Sequence, residues 1–176
     1  MLTEYSINRF KMNREYVINK RKKPEFNDER SRTCCFTGHR PTKLHQTEEN
    51  VKKRLANAID EAISKGYDTF ITGMARGVDL WAAEIVINRR DAGKNIQLIA
   101  AVPFPGMGDE WSEPWGTMYS DILDNVDLAV NVSPYRNKSS FLRRNRWMVD
   151  RSSLLIAVFD DEPGGTRYTI DYAFQN

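Results

Sequence analysis

From Thr33 onward, short apolar runs alternate with longer stretches whose apolar residues recur every three or four positions. The runs Thr33–Thr37, Asp68–Thr72, Ile96–Val102, Val126–Val132 and Ser153–Phe159 are predicted strands, each closed by glycine, proline or a polar turn. Between them the spacing predicts helices at about Thr47–Lys65, Val78–Asp91, Thr117–Asn125 and Ser139–Arg151, with a last one opening over Thr166–Phe174. The first helix carries Val51, Leu55, Ala58, Ile59 and Ala62 on one stripe, and Gly66 stands where a C-cap is wanted. Strands alternating with helices imply an α/β, three-layer, Rossmann-like fold: a mostly parallel sheet of about five strands covered on both faces. Right-handed crossovers then bring every strand's C-terminal end to one edge, where ligands of open α/β sheets bind.

Residues 1–32 do not share this pattern. Tyr5, Ile7, Phe10, Tyr16, Val17 and Ile18 suit a short docked helix at most, so the segment is expected to be a partly ordered extension of a 33–176 domain. It carries nine Lys/Arg against five Asp/Glu, whereas the remainder carries 17 against 19, so the net charge of +2 comes from the extension. Lys20-Arg21-Lys22-Lys23 is its densest stretch, able to touch nucleic acid or to stay a solvated arm. Hydrophobic residues at 40% and charged residues at 28% are an ordinary soluble balance. No apolar run nears the roughly 20 residues that span a bilayer, and no signal-peptide pattern opens the chain. A cytoplasmic protein without a membrane partner is the expectation. The two cysteines, Cys34 and Cys35, are adjacent on a predicted strand, so they point to opposite faces; buried thiols are expected, with no metal site.

The candidate chemistry lies in the turns after the strands. Gly38, then Gly73 and Gly77, then Gly164-Gly165-Thr166 place glycine at or near three strand ends, where the backbone can approach a ligand and a following helix N-terminus favours phosphate. Arginines accompany them: Arg40 after the first strand, Arg76 beside Met74 in the second loop, and Arg143-Arg144-Asn145-Arg146 on the helix after the fourth. Guanidinium forks suit phosphate, although alternating directions let at most two of the last three face one ligand. Asp79, in the first turn of its helix, either caps that helix or accepts a ribose hydroxyl. His39 is a candidate phosphate donor or proton-transfer group, and Glu84 a weaker acid. Phe104, Met107, Trp111 and Trp115 share a long Pro/Trp loop that either packs in the core or stacks on a flat ring, and apolar surface near Trp111–Met118 would suit a homodimer.

Four segments in register carry a resemblance: Cys34-Cys35-Phe36-Thr37-Gly38-His39-Arg40-Pro41; Ile71-Thr72-Gly73-Met74-Ala75-Arg76-Gly77-Val78-Asp79; Leu142-Arg143-Arg144-Asn145-Arg146-Trp147; and Pro163-Gly164-Gly165-Thr166. They resemble the YpsA-like family of the SMF/DprA–LOG superfamily of Rossmann-like proteins. The resemblance covers residues 33 to about 173 and implies binding of a nucleotide or nucleotide-derived ligand, ADP-ribose or NAD in kind, by a sensor or binding protein with no certain cofactor. The LOG branch hydrolyses nucleotide N-glycosidic bonds with a PGGxGTxxE motif. Here the second spacer glycine is missing and Thr169 stands where the glutamate belongs, so hydrolysis of a glycosidic or phosphoester bond is the alternative. The DprA branch binds single-stranded DNA, and Gly73–Asp79 is similar to its loop as well.

Overall fold

The structure, a computed structural model, describes residues 2–6, 16–18, 30–160 and 163–176. Strands β1 (Leu2–Ser6), β2 (Tyr16–Ile18), β3 (Thr33–Gly38), β4 (Thr69–Thr72), β5 (Gln97–Val102), β6 (Leu128–Asn131) and β7 (Leu154–Val158) form one sheet in the order β1-β7-β3-β4-β5-β6-β2. The five inner strands are parallel, with Cys35 beside both Ile71 and Leu155, and Thr72 beside Ala100. Helices α1 (Glu48–Ser64), α2 (Val78–Asp91), α3 (Trp115–Asn125) and α4 (Ser140–Asp150) connect the inner strands in turn, and α5 (Gly165–Gln175) follows β7. This is the expected Rossmann-like architecture.

Strand periodicity divides the core in two. Cys34, Phe36, Phe70 and Leu98 face a layer containing Leu55, Trp81 and Ile122 of α1–α3. Cys35, Ile71, Ile99 and Leu155 face Met148, Val149 and Ile170 of α4 and α5. The vicinal cysteines therefore lie in opposite layers, both free and fully buried. Burial pushes the Cys35 thiol up to about 12, which leaves it a poor nucleophile.

Local chemistry sets the helix limits. Thr47 caps α1 by accepting from the Asn50 amide at 3.3 Å, Glu48 and Glu49 follow in the first turn, and Gly66 at φ +93° stands just beyond the other end. Val51, Leu55, Ile59 and Ala62 form its buried stripe. Helix α2 is buried on more of its circumference, including Val78, Leu80, Trp81, Ala82 and Ala83, because it lies between the sheet and its neighbours α1 and α3.

Two features depart from expectation. Leu2–Ser6 and Tyr16–Ile18 are extended, not helical: they pair antiparallel with β7 and β6 at opposite edges of the sheet. An edge strand offers a row of unpaired amides and carbonyls, and a short extended segment satisfies them without any helical stripe. Ile7, Phe10 and Lys20–Lys23 lie outside the described residues. The second departure is the Trp111–Met118 region, where Trp111 packs edge-on to Tyr119 at 5.1 Å and Trp115 lies 6.1 Å from Trp81. These rings are half-buried on the core, which leaves less apolar surface there for a dimer contact than the sequence implied. Among the described residues, the exposed large apolar side chains are Tyr135, Phe141, Leu142 and Phe174.

The strand order positions the site. From β3 the chain moves outward through β4, β5 and β6, then returns to lay β7 on the other side of β3. The connections thus reverse between β3 and β7, and the crevice left beyond the carboxyl ends of those strands is where open α/β sheets accept ligands.

Candidate functional site

A cavity of about 350 Å³ occupies that crevice. From the end of β3 it receives Gly38, His39 and Arg40, with Lys43 from the 3-10 turn that follows. Arg76 and Asp79 arrive from the β4–α2 connection, Arg144 and Asn145 from α4, and Gly164, Gly165 and Thr166 from the start of α5. Four cations, Arg40, Lys43, Arg76 and Arg144, face one acid, Asp79, among the described lining residues. The loops after β3 and β7 are tied together, since the His45 amide donates to Asp160 at 2.9 Å. That bond holds the Asp160 carboxyl below the usual carboxylate range.

At the back of the cavity lies an ion pair. Arg144 and Asp79 are each only 5% exposed, with Nη1 to Oδ2 at 3.4 Å. Arg144 Nη1 also donates to the Gly73 carbonyl, and Asp79 Oδ2 accepts from the Ala75 amide at 3.3 Å. Burial pushes the Asp79 carboxyl up, against the opposing pull of the Arg144 charge, and burial brings the Arg144 guanidinium down. Arg144 Nε is buried with no hydrogen-bond partner among the described residues. A buried guanidinium donor left unmade is costly.

The β4–α2 loop serves this pair. Thr72 Oγ1 donates to the Asp79 carbonyl at 2.9 Å and accepts from the Met74 amide at 3.2 Å, while Met74 takes a left-handed φ of 59°. The amides of Met74 and Ala75 are therefore committed inside the protein, to Thr72 and Asp79, and are not open to a phosphate. Gly73, Met74 and Gly77 are buried behind the cavity and do not line it. Gly73 is small for Arg144: a Cβ there would lie 2.7 Å from both Arg144 Cζ and Asp79 Oδ2. Gly38 is likewise small for α2, a Cβ there falling 2.5 Å from Val78. Arg143 is exposed and turns away from the cavity, as the opposed directions of neighbouring helical residues require.

The N-terminus of α5 also lines the cavity. Its N-cap, Gly164, has no side chain to offer, so among the described residues no N-cap side chain takes up the first-turn amides of this 11-residue helix. Their partial positive charge faces the same cavity as Arg144 and Asn145. The Asn145 side-chain amide makes no hydrogen bond among the described residues. Lys43 and Phe141 also line the site and were missed in the sequence. Lys43 lies outside any glycine turn, and Phe141 reads as an ordinary apolar helix position, although it stands three residues before Arg144 on the same face.

The profile of the YspA SLOG family, YpsA for short, matches residues 34–176. The chain belongs to this family. It is 30% identical to a UPF0398 protein of Halalkalibacterium halodurans, across 81% of this chain and 80% of the relative. It is 28% identical to a UPF0398 protein of Bacillus cereus, across 81% and 82%. Among solved structures it is similar to DNA processing protein A of Helicobacter pylori, described for its single-stranded DNA binding mode. The TM-score is 0.63 at 19% identity, over 92% of this chain and 67% of the other. That likeness supports the SLOG fold.

Within the family frame, the residue standing in place of the LOG glutamate is turned inward. Thr169 is fully buried and donates to the Gly165 carbonyl at 2.7 Å. Asp171, two residues on, is exposed and pairs with Arg167 at 3.3 Å. Glu84 lies away from the cavity, 3.9 Å from Lys52. His39 is buried inside the site, its ring stacked 5.2 Å from Phe159 and its amide donating to Val158. No helix among the described residues is long and apolar enough to cross a membrane.

Proposed function

We propose that the chain binds a nucleotide-derived ligand, ADP-ribose or NAD in kind, in the β3/β7 crevice, and acts as a binding or sensing protein. The observation that carries this reading is Arg144, whose buried Nε has no partner among the described residues, in the wall of a cationic cavity that the N-terminus of α5 also faces. A phosphate oxygen would accept from Arg144 Nε and from the first-turn amides of α5, with Arg40 and Lys43 neutralising it from the exposed side. Asp79 is a positioning residue: its Oδ2 accepts from Arg144 and Ala75 and so sets the guanidinium. Among the described lining residues the one carboxylate is Asp79, and it is paired with Arg144. The reading is therefore of a binder, with hydrolysis as the alternative.

The similarity to a single-stranded DNA-binding protein favours a second reading, in which Tyr135, Phe141 and the surrounding cations take a nucleic-acid strand. Calorimetry with ADP-ribose, NAD, ADP and a short oligothymidylate separates the two. Saturable binding of ADP-ribose or ADP is expected, weakened about tenfold by Asn145→Ala, which removes one uncommitted donor. Heat from the oligonucleotide alone, collapsing between about 50 and 200 mM salt, would favour the strand-binding reading. Silence across the panel would refute both.

A further inference from the structure

A second cavity of about 410 Å³ opens beside the first and shares Arg40, Ala75, Arg76 and Phe141 with it. Its remaining wall comes from the β5–α3 loop, including Phe104, Asp109 and Trp111, with Arg136 opposite. Planar groups dominate this wall. The Arg76 guanidinium lies 5.2 Å over the Trp111 ring, and the Arg136 guanidinium 5.8 Å over Phe104. Phe141 meets Phe104 edge-on, with centroids 5.6 Å apart at 87°. Trp111 is fixed from behind by Tyr119, and Phe104 is anchored in the core, so neither needs to be ordered by a ligand. Phe141, in contrast, is 41% exposed, an aromatic surface left uncovered at the junction of the two cavities.

We infer that this second cavity is a ring subsite, which takes the planar base of the same ligand whose phosphate lies in the β3/β7 crevice. The inference rests on the proposed function and adds what it lacked: a location for the base and the residues that select for one. Each cavity alone is near the lower end of ligand-site volumes, roughly 300–1,000 Å³. The two joined through Phe141 and Arg76 suit a ligand that is anionic at one end and flat at the other. Aromatic faces and guanidinium planes stack on any base. The Asp109 and Glu110 carboxylates add acceptors for an exocyclic amino group, which a bare sugar phosphate cannot offer. Arg76, in contact with both cavities, is placed to span base and phosphate.

The test compares ADP with inorganic pyrophosphate by calorimetry on the full chain, and on Trp111→Leu, a residue that lines the ring subsite and not the β3/β7 crevice. ADP is expected to bind wild type about tenfold more tightly than pyrophosphate, the gain expected of one base on an aromatic platform. Trp111→Leu is expected to remove most of that gain. Because this variant also disturbs packing on Tyr119, a second readout uses wild type: tryptophan fluorescence should respond to saturating ADP and not to pyrophosphate. Equal affinities for the two, or no fluorescence change with ADP, would overturn the ring subsite while leaving the anion site standing. Failure of both compounds to bind would overturn the anion site and the ring subsite together.

Discussion

Gly73→Val is expected to destabilise the protein by about 3 kcal/mol or more, a loss far beyond the ordinary cost of adding a side chain to a loop. The first added carbon would sit 2.7 Å from Arg144 Cζ and from Asp79 Oδ2, and the guanidinium has nowhere to retreat because it is itself buried. Either the ion pair opens, leaving charge buried without compensation, or α4 moves off the sheet. Gly66→Ala is the matched control. Its φ of +93° disfavours a side chain, yet nothing lies within 4 Å, so only the backbone strain of about 1 kcal/mol is expected. Urea unfolding curves for the two variants check this; a Gly73→Val midpoint equal to wild type would mean that Arg144 is not held as described.

The second large effect is non-additivity at the pair. Arg144→Met and Asp79→Leu are each expected to cost roughly 3–5 kcal/mol, since each leaves a buried charge unpaired, while the double variant should recover most of that loss. The Arg144→Met variant carries a pH signature as well. Burial already holds the Asp79 carboxyl above its ordinary value, and Arg144 opposes that rise. Removing Arg144 therefore raises the native pKa further. A carboxyl with a raised native pKa binds its proton more tightly folded than unfolded. Its contribution is fully present below the unfolded value of about 4 and is lost as pH rises through the native pKa. Arg144→Met should accordingly be more stable at pH 5 than at pH 8, measured as urea midpoints, and the double variant should not show that difference. The double variant should also fold and fail to bind ligand, which separates the pair's two roles.

The sequence made the inner fold legible because its signals there are local. Helix α1 announces itself by Thr47, its acidic first turn and a four-residue apolar stripe, and Cys34-Cys35 reads as a strand whichever face is buried. Strand order is not local. That β7 returns beside β3 depends on pairings such as Cys35 with Leu155, and no pattern inside either strand encodes its neighbour. The edge strands were missed for the same reason, since Leu2–Ser6 is extended only because β7 offers an open edge. The site shows the same division. Arginine and glycine near strand ends include residues that the fold gathers around one crevice, but the place of Gly73 depends on Arg144, 71 positions away. A glycine that makes room for a distant guanidinium looks, in one dimension, like a glycine that makes room for phosphate. Phe141 carries no mark at all until Phe104 is found beside it.

The most direct measurement of the central claim is an amide-resolved NMR titration of the full chain with ADP-ribose. Shifts concentrated at Gly38–Arg40 and Gly164–Thr166, with the opposite sheet edge near Gly66 and Gly93 silent, are the predicted result. Shifts that gather at that opposite edge, or a spectrum unchanged at millimolar ligand, would contradict it.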